Sequence, residues 1–313
     1  MVELIFPSPF EKNTFCSWSG DCFDHGSLVL EYPMPRSPIG WNDQLTDFHE
    51  QLETTISAID KASYESAFEQ CSIAVNKLLK NYKPVILEIG CLSGHLLRKL
   101  RKSFPDTFVC GADIIDKPLQ RLAENLKQEG IPTPLLRFDL VDCPLPNDSV
   151  DVCLALNVLE HIENDKIALQ EIYRILKNDG VFIFEVPNSP SLFDDYDREL
   201  FHYRRYKADS LNNILIEIGF KKIKSSYLGV FLYPPFFVIK KIRRFIFNIK
   251  NIFKSINSKK TKINKKVGPS PLTAKLIILS SCFFCKYLLA IELYLGKFVR
   301  WPFGIRCLGA YKK

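Results

Sequence analysis

The chain has 313 residues, 47% of them apolar, with 42 Lys and Arg, 35 Asp and Glu and a net charge of +7. This length allows one large domain with an appendage or two small domains, and the apolar content is ample for a core. The charge is uneven: residues from Lys221 onward hold 21 basic side chains and one acid, Glu292, a net of +20, whereas the first 220 residues carry −13. An acidic globular part joined to a basic region favours a polyanionic partner, either an anionic membrane surface or a nucleic acid.

Residues 1–50 are rich in Pro, Gly and aromatics without a sustained period, and are read as an irregular N-terminal arm. Cys16, Cys22 and His25 lie there, but a zinc site needs paired ligands that this segment lacks, so no metal site is assigned. The first residues carry Glu3 and Glu11 and show no basic stretch before an apolar core, so no signal peptide is read. The ten cysteines form no regular framework, which favours a reducing cytoplasm. Cys71, Cys91, Cys110 and Cys153 sit in apolar contexts as small core residues.

Leu45, Phe48, Leu52, Ile56 and Ile59, then Phe68, Ile73 and Val75, recur at helical steps, predicting helix over 45–80. Val85–Ile89 is a short apolar run between Pro84 and Gly90 and reads as a buried parallel strand. It ends in Glu88 and a turn carrying Gly90 and Gly94, and a helix follows with apolar residues at 96, 97 and 100. Strands are expected at 107–112, 135–138, 150–156 and 181–186, with helices at about 117–129 and 164–177 between them. This alternation predicts a doubly wound, mostly parallel α/β sheet. Acidic residues fall at the carboxyl ends of three strands: Glu88, Asp113 and Asp139. Ligands of open α/β sheets bind outside those ends.

The stretch Glu88–Gly94 resembles motif I of the class I S-adenosylmethionine-dependent methyltransferases, whose loop runs acidic-x-Gly-x-Gly-x-Gly. Leu92 replaces the middle glycine, and a branched residue resists positive φ. Either the loop takes another path or cofactor binding is weaker. The resemblance extends over residues 85–186 and implies a seven-stranded Rossmann-like sheet. It implies that Asp113 holds the ribose hydroxyls of S-adenosylmethionine and Asp139 lies beside the adenine amine. It also implies that Glu88, Gly90 and Gly94 surround the methionine end, past which Asn157 brings the loop after the fourth strand. His202, in the segment His-Tyr-Arg-Arg-Tyr, resembles the substrate-side segment of bacterial members that modify small molecules, lipids and glycans. His161 falls at the mouth of the site, and both histidines are candidate bases for the acceptor proton. No Asn-Pro-Pro-Tyr or Asp-Pro-Pro-Tyr element follows the fourth strand, which argues against methylation of adenine N6.

Residues 51–228 are read as the methyltransferase core, with a sixth strand at 221–228 and a seventh at 305–311. Residues 229–303 are then a helical, basic and apolar insertion between the last two strands, and 304–313 complete the core. The run Val230–Ile239 is broken by Pro234 and Pro235, Ser255–Pro271 reads as a mobile linker, and Leu272–Val299 as an apolar helix with four charges. Both apolar stretches are too short or too charged to span a bilayer. An interfacial element or lid is expected, with basic residues facing lipid head groups on the cytoplasmic face of a membrane. The expected activity is O-methylation of a lipid-linked, glycan or other small amphipathic acceptor. The rivals are an RNA methyltransferase and an inactive binding protein that kept the fold.

Overall fold

The structure is a computed structural model that describes residues 23–24, 29–31, 57–92, 94–242 and 283–313. Its centre is a sheet of β3 (Val85–Ile89), β4 (Phe108–Asp113), β5 (Leu135–Arg137), β6 (Val150–Leu156), β7 (Leu176–Pro187), β8 (Lys221–Leu228) and β9 (Arg306–Lys312). These seven lie in the order β5-β4-β3-β6-β7-β9-β8. β3 to β7 are parallel to their neighbours, and β9 runs antiparallel between β7 and β8. β8 therefore points the same way as β3, and the segment after Leu228 leaves from the carboxyl edge of the sheet.

Two short strands extend the sheet beyond β5. β2 (Val29–Glu31) pairs parallel to β5 and β1 (Phe23–Asp24) antiparallel to β2. Both lie in the segment read as an irregular arm, where two or three residues are too few for a visible period of two. The rest of that arm, with Cys16, Cys22 and His25, lies outside the described residues, as do 32–56, Cys282 and the linker at 255–271.

The sheet is hydrophobic because its central strands are covered on both faces. All residues of β3 and of β6 are buried. On one face pack α1 (Ala58–Leu78), α2 (His95–Ser103) and α3 (Asp116–Gln128). Leu96, Leu97 and Leu100 of α2 are wholly buried there, and each contributes roughly 1.5–3 kcal/mol of burial. On the other face pack α4 (Asp165–Ile175) and α6 (Ala208–Ile218). Ser57 caps α1 reciprocally with Asp60. A short helix, α5 (Asp195–Glu199), is capped in the same way by Asp194 and Asp197. The helix expected to reach 177 ends at Ile175, because Leu176 is already extended and joins β7. Cys71, Cys91, Cys110 and Cys153 are buried free thiols.

The insertion contributes residues 233–242, which are helical and here called α7, and α8 (Phe283–Leu295). Leu289 of α8 packs with Ala58, Ile59 and Ala62 of α1 and with Leu228. The buried Glu292 carboxylate accepts from the Gly229 and Phe231 N–H groups where β8 ends. Lys240 does not belong to a basic face turned to lipid. It is buried, and its Nζ donates to Asp194 Oδ1 at 2.6 Å and to Asp197 Oδ2 at 2.9 Å. A lysine in a basic run reads as solvated unless two buried carboxylates await it.

Candidate active site

β3 and β6 are neighbours, and the strand order reverses between them, which opens a crevice at their carboxyl ends. Along this edge Asp139 follows β5, Asp113 ends β4, Glu88 and Gly90 end β3, and Asn157 follows β6. Adjacent strands are about 4.8 Å apart, so the four positions line a continuous row.

The turn after β3 is built by left-handed backbone. Gly90 has φ +74°, and a Cβ there would lie 2.4 Å from Val158 Cγ2. Gly94 has φ +63°, and a Cβ would meet Leu122 at 2.3 Å. Both positions require glycine. Leu92 is not among the positive-φ residues, so the loop takes a path that suits its side chain. Its N–H donates to Asp113 Oδ2 at 3.3 Å. Leu92→Gly is therefore expected to leave cofactor affinity within about threefold of wild type, because the backbone donor remains and no strain is relieved. Calorimetric titration with S-adenosylhomocysteine checks this, and a larger loss would expose a contact made by the leucine side chain.

Asp113 also accepts from Ile114 N at 2.7 Å and Ile115 N at 3.1 Å, which fixes its carboxylate at the strand end. Burial raises its pKa to about 6 against the pull of these N–H groups. Glu88 is buried, and its Oε2 has no hydrogen-bond partner among the described residues. Burial, and then the Asp113 carboxylate, push Glu88 up to about 8, with the Leu97 N–H in the first turn of α2 opposing. Asp139 caps a single 3-10 turn and accepts from Val141 N at 3.1 Å. Asn157 has φ +54°, a left-handed residue held by donation from its N–H to Glu185 O at 2.9 Å. Such backbone concentrates at ligand sites.

These residues fit the expected cofactor. Two buried carboxylates, Glu88 and Asp113, form no ion pair among the described residues. Glu88 Oε2 suits an ammonium donor, and the remaining lone pairs of Asp113 suit hydroxyls. The pKa shift of Glu88 gives a second expectation. Its folded pKa lies above the ordinary 4.5, so the fold favours the neutral form, and that stability is full below about pH 4.5 and lost as pH rises through about 8. The denaturation midpoint of the ligand-free protein should fall relative to that of Glu88→Gln between about pH 5 and 9. Parallel midpoints across this range would show that Glu88 is already paired.

Two loops come together at His161 and His202. The chain after β6 turns through a 3-10 helix, Leu159–His161. The segment 202–206 lies against it: Tyr203 N donates to Glu160 O at 2.8 Å and Tyr206 OH to Leu159 O at 3.0 Å. Tyr206 OH also donates to Asp165 Oδ2 at 2.7 Å, and Arg204 binds Asp165 Oδ1 at 2.9 Å. His161 and His202 are thus brought together, with ring centroids 4.6 Å apart and planes at 85°.

Behind His202 stands Asp197, whose Oδ1 is 3.3 Å from His202 Nδ1 and accepts from Arg205 Nε at 2.7 Å. Burial alone would raise the Asp197 carboxyl, but His202, Arg205 and Lys240 hold it well below the ordinary range. Burial, with the Arg205 and Lys240 charges, lowers the His202 pKa against the pull of Asp197, so the imidazole is neutral near pH 7. Glu160, one residue before His161, is 1% exposed, and burial pushes its pKa up to about 8. Glu160 and Asp197 were not singled out from sequence, although Glu160 adjoins a candidate base. A second buried network ties the site to α1 and β9. Ser63 and Arg306 both donate to Glu185 at the end of β7, and Arg306 also reaches Asp60.

Residues 87–184 match the family model described as a methyltransferase domain. An uncharacterised protein of Methanocaldococcus jannaschii is 30% identical over 237 residues, which are 72% of this chain and 95% of that protein. A probable S-adenosylmethionine-dependent methyltransferase of Mycobacterium tuberculosis is 32% identical over 28% of this chain and 32% of its own length. In solved structures, a putative sarcosine dimethylglycine methyltransferase from Galdieria sulphuraria shares the fold, with a TM-score of 0.51 at 14% identity over 80% of this chain and 85% of its own. With the glycine turn after β3 and the row of carboxylates along the sheet edge, these likenesses show that the chain belongs to the class I S-adenosylmethionine-dependent methyltransferases.

Proposed function

We propose that this enzyme methylates an oxygen of a lipid-linked, glycan or other small amphipathic acceptor presented at an anionic membrane surface. The observation that carries the reading is the outer face of the insertion. Val238 and Ile242 of α7 are 54% and 52% exposed, and Tyr294 at the end of α8 and Phe298 just past it are 63% and 76% exposed. Lys241, next to Ile242 in the chain, and Lys286, Lys297 and Arg300, on α8 and just past it, are also exposed. Clustered exposed apolar side chains mark an interaction surface, and basic residues between them suit lipid head groups. No helix among the described residues is long and apolar enough to cross a membrane. The insertion begins at the carboxyl edge of β8, the edge that carries Asp113 and Glu88, so a docked surface would lie close to the acceptor side.

S-adenosylmethionine, when bound, supplies an electrophilic methyl group. The chain positions it through Asp113, Asp139 and the Gly90–Gly94 turn, and positioning contributes much of the rate of such a transfer. Neutral His202, oriented by Asp197, takes the proton of the acceptor hydroxyl, with His161 beside it.

Flotation with liposomes tests the membrane reading. The protein is expected to float with anionic vesicles, less with neutral ones, and less as salt rises, since each basic residue near the surface adds about 1 kcal/mol. The variant Ile242→Ser with Phe298→Ser is expected to lose most of this binding, whereas deleting 229–303 would also remove Leu289 and Glu292 from the core. Protein that ignores anionic vesicles yet binds RNA with a steep salt slope would replace this reading with RNA methylation.

A further inference from the structure

We propose that Glu160, His161 and His202 form a binding site for one divalent transition-metal ion. One ligand atom from each of the three lies within 4.8 Å of those of the others. Donor atoms held about 2.0–2.2 Å from a zinc-sized ion stand roughly 3.3–3.6 Å apart, so the set has to close by about 1 Å or a little more to bind one. One carboxylate and two imidazoles are a recurrent donor set for zinc and iron(II), and three protein ligands leave positions open for an oxygen ligand.

Two further observations point to a cation. Both carboxylate oxygens of Glu160 are buried, and beyond the N–H of the same residue neither finds a hydrogen-bond partner among the described residues. A buried carboxyl group whose oxygens lack partners is costly, and a metal ion satisfies both oxygens. The second observation is Asp197. Its Oδ1 lies 3.3 Å from His202 Nδ1, which sets that nitrogen as the donor and leaves Nε2 with its lone pair. Metal-bound histidines are held in this manner by a carboxylate on the far nitrogen. Asp197 is in turn fixed by Arg205 and Lys240, so the imidazole is oriented before any ion arrives. A purely structural histidine pair would need neither the stranded carboxylate nor this support.

Ion binding stands on these contacts alone. That the open positions take the acceptor oxygen rests on the O-methylation reading. With the ion present, an acceptor hydroxyl bound to it becomes more acidic, and the histidines act through the ion rather than as free bases.

The test uses the full-length protein, stripped with chelator and titrated with Co2+ while its visible absorption is followed. One equivalent is expected, without the near-ultraviolet bands of thiolate ligation, and with two paramagnetically shifted imidazole N–H protons in the NMR spectrum. Glu160→Gln and His202→Ala should each weaken binding at least about tenfold. Both should still bind S-adenosylhomocysteine, which reports that they fold. Absence of binding at about millimolar Co2+, thiolate bands, fewer than two shifted imidazole protons, or unchanged affinity in both variants would overturn the proposal. The wild-type spectra decide the matter even if a variant fails to fold. None of these readings depends on methyl transfer or vesicle binding, so failure here leaves the proposed function standing.

Discussion

Replacing Lys240 by alanine is expected to destabilise the protein by about 3–5 kcal/mol and to alter the surroundings of His202, although the residue lies in the insertion. Lys240 is 4% exposed and pairs with Asp194 and Asp197, the two carboxylates that cap α5. Removing it leaves Asp194 without a cation among the described residues and Asp197 with Arg205, His202 and the Asp194 N–H. Removing one partner from a buried ion cluster strands the other charges in a low dielectric, and that cost exceeds what the intact pair contributes. Denaturant unfolding measures the loss. A second readout separates a local role from general damage: Lys240 lowers the His202 pKa, so the variant should titrate His202 at higher pH by NMR. A loss below about 1 kcal/mol with His202 unmoved would mean that water reaches the cluster and that α7 is not anchored through it.

Arg306→Ala is expected to cost a similar amount, about 3–5 kcal/mol. Arg306 bridges Glu185 on β7 and Asp60 on α1, and Glu185 is wholly buried. The two acids raise the guanidinium pKa against its burial, and Arg306 in turn offsets part of the burial that raises Glu185. Without the arginine, the Glu185 carboxylate keeps only the Ser63 hydroxyl among the described residues. Adding Glu185→Gln to Arg306→Ala removes the stranded charge, so the double variant should recover part of the loss. A double-mutant cycle by denaturant unfolding reads this coupling, and additive losses would show that the two side chains do not interact. The Asn157 N–H donates to the Glu185 backbone carbonyl, so Arg306→Ala should also loosen the loop that leads to Glu160 and His161.

The sequence alone determined the parts that depend on local pattern. The Val85–Ile89 run, the glycine turn and the leucines of α2 specify a strand, a tight turn and an amphipathic helix, because side-chain period encodes which face is buried. The βα alternation determined a doubly wound sheet, and the fixed polarity of parallel strands put Asp113 and Asp139 on one edge with Glu88. The insertion between the last two strands was legible for the same reason. Tertiary structure decided what long-range pairing controls. His161 and His202 are 41 positions apart and share a site only because the segment after α5 folds back on the loop after β6. Glu160 was not singled out in the sequence, and only the packing of the fold buries its carboxylate beside the two histidines. Lys240 read as one charge in a basic run, yet Asp194 and Asp197 draw it into the interior. Charge in sequence has no period that separates a solvated lysine from a buried one, and the difference appears only when the cavity that receives it has been built.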